Sequence, residues 1–146
     1  MVAPAAALLT VDPCAMVVCH PERSAPQVIA FLTEAGFDAN RLGLTYAGPR
    51  FVEVTAARVD KATGVLRALH TIDIQPERVI AFGDMPNDIA TFSVVGSSVA
   101  MGNAPDEVRN AATMQTASVE DDGFASMLAH LNLVPRGSAG PTVLPT

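Results

Sequence analysis

The stretch Val79-Ile80-Ala81-Phe82-Gly83-Asp84-Met85-Pro86-Asn87-Asp88 constrains the fold of this chain more than any other. Val79 to Phe82 is a continuous apolar run of strand length, the pattern of a buried strand. It stops at Gly83, which permits a tight turn, and two carboxylates four residues apart follow at the strand's C-terminal end. That edge is where open α/β sheets place ligands. Asp84 and Asp88, with the Asn87 side-chain amide, are hard oxygen donors suited to Mg²⁺. The alternative is that Asp84 only caps the helix that should follow. Capping accounts for one aspartate and leaves the rest of the constellation unexplained.

The neighbouring sequence supplies the other layers of such a sheet. Val65, Leu66, Leu69 and Ile72 mark a helix from about Lys61 to Thr71. A helix over residues 87–94, a strand Ser98–Met101 and a helix Ala104–Ala112 with Pro105 in its first turn come next. A short strand Met114–Thr116 and a helix Glu120–Leu131 close the pattern. Helices alternating with short buried strands predict a parallel α/β sheet. Upstream the rhythm differs. A strand Ala15–Cys19 and the turn His20–Ser24 precede a helix Ala25–Ala35, capped by Ser24 and stopped by Gly36. Val28, Ile29, Phe31 and Leu32 supply the apolar face of that helix. Two strands, Leu42–Tyr46 and Arg50–Thr55, flank the hairpin signal Ala47-Gly48-Pro49. Phe51, Glu53 and Thr55 alternate with Val52 and Val54, as in a half-buried strand. The change of rhythm at residues 56–60 predicts a boundary between a β-rich piece and an α/β layer.

Composition narrows the function. With 49% apolar residues the chain has material for a core, which excludes disorder over most of its length. No apolar run approaches the roughly 18 residues of a membrane span, so a membrane partner is not expected. Nine Lys+Arg against fifteen Asp+Glu leave a net charge of −6, which repels phosphate backbones and argues against nucleic-acid partners. A small phosphorylated ligand stays compatible, because a bound cation inverts the local field. Lys61 stands at a helix start, where the dipole disfavours a cation. It is either a solvated surface lysine or one that faces a phosphate.

Cys14 and Cys19 form neither a disulfide framework nor a CxxC pair. Cys19 ends an apolar run and is expected to be buried and inert. The first residues carry no Lys or Arg before Arg23 and make a poor signal peptide, so a cytoplasmic location is expected. From Pro135 the chain is rich in Pro, Gly and Ser, and a flexible tail over 133–146 is expected. Leu133 to Ser138 reads as an engineered thrombin site would, and coincidence is the other explanation.

Four ordered motifs together resemble the C-terminal half of a haloacid dehalogenase (HAD) superfamily phosphatase, more narrowly the Cof-type subfamily with a C2 cap. They are Phe51-Val52-Glu53-Val54 followed by Val59-Asp60-Lys61-Ala62-Thr63-Gly64; Val79 to Asp88; Val99-Ala100-Met101-Gly102-Asn103-Ala104; and Glu120-Asp121-Asp122-Gly123-Phe124. The resemblance implies a partial Rossmann-like parallel sheet core over 58–132 and a remnant of an α+β cap over 1–57. It implies Lys61 as a phosphate-contacting residue, Asp84 and Asp88 as magnesium-side carboxylates, and Asn87 as their hydrogen-bonding, phosphate-side neighbour. The implied substrates are small phosphomonoesters, sugar or cofactor phosphates, hydrolysed through an aspartyl-phosphate.

The sequence departs from that family where the chemistry starts. The attacking aspartate and the acid/base aspartate lie in an Asp-x-Asp signature, and this sequence contains none. The nearest lookalike, Thr10-Val11-Asp12-Pro13-Cys14, has threonine at the nucleophile position and reads as cap sequence. The expectation is a phosphatase half that is inactive alone and holds Mg²⁺ weakly, because two carboxylates do not fill an octahedron. It self-associates or takes a complementing N-terminal half. The alternative is a non-catalytic pseudoenzyme, or half of a split enzyme, that binds a phosphorylated ligand or a partner.

Overall fold

The computed structural model describes residues 14–134. Thr10 to Pro13 and the tail from Pro135, with most of the thrombin-like stretch, lie outside the described residues.

The first layer is an antiparallel sheet with one helix. Strand β1 (Ala15–Cys19), helix α1 (Ala25–Glu34) and strands β2 (Leu42–Tyr46) and β3 (Phe51–Ala56) follow in order. The sheet order is β1-β3-β2. Its register places Val18 and Tyr46 opposite Val52, and Met16 and Leu44 opposite Val54. Residues directly opposite share a face, so these apolar side chains form one surface. The helix packs there through Ala25 and Val28, joined by Ile29 and Leu32, and Val52 is wholly buried. The Gln27 side chain accepts from the Ser24 N–H at 2.9 Å, closing the helix start. Gly36, at φ +85°, ends it in a conformation that other residues adopt only with strain.

Two expectations fail in this layer. Phe31 does not join the apolar face of α1. It is half exposed, with the Arg23 guanidinium 4.9 Å above its ring. Cys19 is exposed, as is Cys14. It pairs with Phe51 on the face that α1 does not cover. The apolar run around it is hydrophobic on both sides, but only one side has a helix.

The second layer is the parallel one. It comprises α2 (Lys61–Thr71), β4 (Ile80–Gly83), α3 (Ile89–Phe92), β5 (Ser97–Ala100), α4 (Asp106–Ala111), β6 (Met114–Gln115) and α5 (Gly123–His130). The sheet runs β4-β5-β6, all parallel. Its core gathers Phe92, Ala100, Ala104 and Val108. Among the described residues β4 pairs only with β5, so its other edge is open. Val79 to Phe82 are accordingly half buried, where the apolar run predicts full burial. No helix among the described residues is long and apolar enough to cross a membrane.

Two helices are shorter than their patterns. The one expected over 87–94 starts as a 3₁₀ turn at Pro86–Asp88 and continues for four residues. The one expected from Glu120 starts at Gly123, because Asp121 bonds back to Ser118 and Asp122 sits at φ 55°. That left-handed conformation breaks the helical run.

Candidate active site

The strand β4 delivers Gly83 and Asp84 to its C-terminal end, and the 3₁₀ turn folds Asp88 back beneath them. Oδ2 of Asp88 accepts the backbone N–H groups of Asp84, at 3.1 Å, and Met85, at 3.0 Å. Its Oδ1 lies 2.6 Å from Lys61 Nζ, at the start of α2. Lys61 also donates to Asn87 Oδ1 at 3.2 Å. Asp88 and Asn87 are buried, while half of the Lys61 side chain is in solvent. One carboxylate therefore fixes both the turn that carries Asp84 and the ammonium of Lys61.

This arrangement explains Gly83 differently from its sequence reading. Gly83 belongs to β4 and does not have a positive φ. A Cβ on it would lie 2.5 Å from Asp88 Cβ. The position needs glycine for the close approach of Asp88 rather than for a turn.

Asp84 has its own support. Its Oδ2 accepts from Asn103 Nδ2 at 3.0 Å, and Asn103 Oδ1 accepts from the Val119 N–H at 3.1 Å. Asn103 thus ties Asp84 to the loops after β5 and β6. Its role was not legible from sequence, although its position just past a strand's C-terminal end was a signal. A carboxylate has about four lone-pair sites. Asp84 gives one to Asn103 and keeps three, whereas Asp88 gives three to Lys61, Asp84 and Met85 and keeps one. These oxygens suit a hard cation such as Mg²⁺. Among the described residues no group of three or more His, Cys, Asp or Glu side chains is arranged to hold a metal.

The start of α2 shows how a lysine is tolerated there. Asp60 caps the helix, its Oδ1 accepting from Thr63 N–H at 2.7 Å and Thr63 Oγ1 at 2.8 Å. These bonds hold the Asp60 carboxyl below the usual carboxylate range. The cap carboxylate beside Lys61 offsets the unfavourable dipole. His70 and His130 lie in the last turns of α2 and α5.

A cavity of about 460 Å³ opens between this cluster and the antiparallel sheet, with Thr45, Glu53, Arg58, Lys61 and Asn87 in its walls. The Tyr46 hydroxyl donates to Glu107 at 2.7 Å, joining β2 to α4. That bond to Glu107, with burial, pushes the Tyr46 phenol above its ordinary value.

Comparison with known proteins places this architecture. Residues 8–128 match the haloacid dehalogenase-like hydrolase family. A 5-amino-6-(5-phospho-D-ribitylamino)uracil phosphatase of Bacillus subtilis is 36% identical over 89 residues, 61% of this chain and 36% of that protein. A second Bacillus subtilis phosphatase of the same name class is 29% identical over 117 residues, 80% of this chain and 43% of that protein. The chain thus spans less than half the length of each of these relatives. Among solved structures, a HAD subclass IIB sugar phosphatase superposes with a TM-score of 0.69 at 26% identity, over 82% of this chain and 44% of that one. A HAD phosphatase from Bacteroides thetaiotaomicron gives 0.73 at 25% identity, over 88% and 46%. With its parallel sheet, its Lys61–Asp88 pair and this match, the chain belongs to the haloacid dehalogenase-like hydrolase family.

Proposed function

We propose that this chain forms the phosphate-side and cation-side half of a Mg²⁺-dependent phosphomonoesterase of Cof type, acting on small sugar or cofactor phosphates. The observation that carries the reading is Lys61, held by Asp88 and Asn87 at the end of β4 that also presents Asp84. An ammonium has three protons. Two are used on Asp88 and Asn87, and the third is available to a phosphoryl oxygen. Phosphoryl transfer needs such positive groups to neutralise charge on the equatorial oxygens. Asp84, with Asp88 behind it, would hold Mg²⁺, which when bound neutralises further phosphoryl charge. Asn103 keeps the Asp84 carboxylate oriented.

The aspartate nucleophile is assigned to a segment beyond these residues, since the sequence has no Asp-x-Asp. The open edge of β4 is the place for it, because a strand pairing there ends beside Asp84. An unpaired apolar edge is also a template for self-association, so the chain by itself is expected to associate or to take the complementing segment. The matched relatives that are named as phosphatases support this reading of the site.

Two measurements test it. Inorganic phosphate with Mg²⁺ should bind the chain saturably, and Lys61→Ala should weaken binding about tenfold or more. The chain alone should not hydrolyse p-nitrophenyl phosphate, and adding a polypeptide that carries the Asp-x-Asp segment should restore turnover. Mg²⁺-dependent turnover by the pure chain, abolished in Asp84→Asn, would overturn the half-site reading.

A further inference from the structure

We propose that Glu53 is a specificity-determining residue that accepts a hydrogen bond from a hydroxyl or amine on the organic part of the phosphomonoester, selecting neutral polyhydroxyl or amino substrates over those with a second anion. The inference rests on the phosphate-end reading of Lys61. Glu53 sits on β3, the central strand of the antiparallel sheet. Its register partners are Val17 and Thr45, on the face that α1 leaves bare. It is half buried in the wall of the cavity that also contains Lys61 and Asn87.

Glu53 has no hydrogen-bond or ion-pair partner among the described residues. The other charged groups of the cavity are differently placed. Asp60 is engaged by Thr63, and Lys61 by Asp88 and Asn87. Arg58 also lines the cavity and is exposed to solvent. The Glu53 carboxylate oxygens are free of protein donors among the described residues and open to the cavity, so a ligand donor placed there can bond to them directly. An ionised carboxylate only accepts, so it repels a carboxylate or second phosphate placed against it. Thr45, opposite it, offers a hydroxyl that serves either a donor or an acceptor. The cavity thus has a cationic end for the phosphate and an acceptor wall for the remainder of the substrate.

The test is binding to the full chain with Mg²⁺, by calorimetry, using inorganic phosphate, glucose 6-phosphate and 3-phosphoglycerate as probes. Glu53→Ala should weaken glucose 6-phosphate about tenfold and leave inorganic phosphate unchanged. The Glu53→Gln variant, which keeps the shape and one acceptor, should bind glucose 6-phosphate with a smaller loss and 3-phosphoglycerate more tightly than wild type. Equal glucose 6-phosphate affinity in wild type and both variants, with phosphate binding still lost in Lys61→Ala, overturns the role of Glu53 alone. Phosphate binding that is absent, or that ignores Lys61→Ala, overturns the phosphate end and this proposal with it.

Discussion

Gly83→Ala should be among the most damaging single substitutions in the parallel layer, and the structure gives its size. The new Cβ would sit 2.5 Å from Asp88 Cβ, 2.6 Å from its Cγ and 2.7 Å from its Oδ2, where ordinary contact begins at 3.4 Å. Asp88 must therefore retreat by about 1 Å, and so large a shift in a packed site costs about 1–3 kcal/mol. Such a retreat stretches the bonds from the Asp84 and Met85 N–H groups, now 3.1 and 3.0 Å, to roughly 4 Å, past any useful hydrogen bond. Bonds to a charged acceptor contribute about 1.5–3 kcal/mol each, though part returns if water reaches the carboxylate. The ion pair with half-exposed Lys61 adds at most about 1 kcal/mol. These effects overlap, and we expect a total loss of about 3 kcal/mol against a typical stability of about 5–15 kcal/mol. Urea unfolding followed by circular dichroism reads it directly. The close approach also predicts coupling. An Asp88→Ala background keeps the Cβ contact but has no carboxylate to crowd and no carboxylate bonds left to stretch, so Gly83→Ala should cost at least about 1 kcal/mol less there than it does alone. A loss under about 0.5 kcal/mol, or strict additivity of the two substitutions, would refute the packing argument.

Other consequences follow from single contacts. Asp60→Ala should destabilise the chain by about 1 kcal/mol at neutral pH, the usual worth of a helix cap. Because the folded Asp60 carboxyl lies below its ordinary range, its contribution is present above about pH 4. The gap between variant and wild type should narrow as pH falls below that point, as thermal midpoints measured across pH would show. Tyr46→Phe removes the bond to Glu107 and should lower stability by up to about 1 kcal/mol. The Tyr46 phenol is raised, so this contribution is full below about pH 10 and fades as pH rises through the folded value; melting at pH 7 and pH 11 tests it. Val52→Ala empties a fully buried site under α1 and should cost about 2 kcal/mol or more by denaturant titration.

What the sequence displayed was mostly what local chemistry decides. The helix Lys61–Thr71 has its expected bounds, because the Asp60 cap and the apolar spacing sit within it. The alternation of Val52 and Val54 with Phe51, Glu53 and Thr55 appears as drawn, since a strand's two faces need only one covering helix to become distinct. The misreadings occurred where a distant partner decides. Cys19 carries the apolar context of a core thiol, yet nothing covers its side of β1. Phe31 has helical spacing but finds Arg23 instead of the sheet. The helix signal from Glu120 yields to the Ser118–Asp121 turn and to Asp122, whose backbone conformation no periodicity announces.

The candidate site divides in the same way. Asp84, Asn87 and Asp88 were nameable as candidates from the motif at the end of their own strand, whereas Lys61, left open by its helix start, was named only through the family resemblance. What joins them was hidden, for it depends on one carboxylate reaching in two directions. Asp88 binds backbone four residues behind it and an ammonium 27 residues away. It can reach both only because Gly83 has no side chain and Pro86 opens a 3₁₀ turn instead of an α-helix. Shifting Asp88 therefore moves the turn that carries Asp84 and the Lys61 ammonium together. Asn103 completes the restraint from the loop after β5, through contacts that no spacing in the sequence encodes. The two ends of the site are held by shared hydrogen bonds rather than by separate loops, so a fault at either end reaches the other.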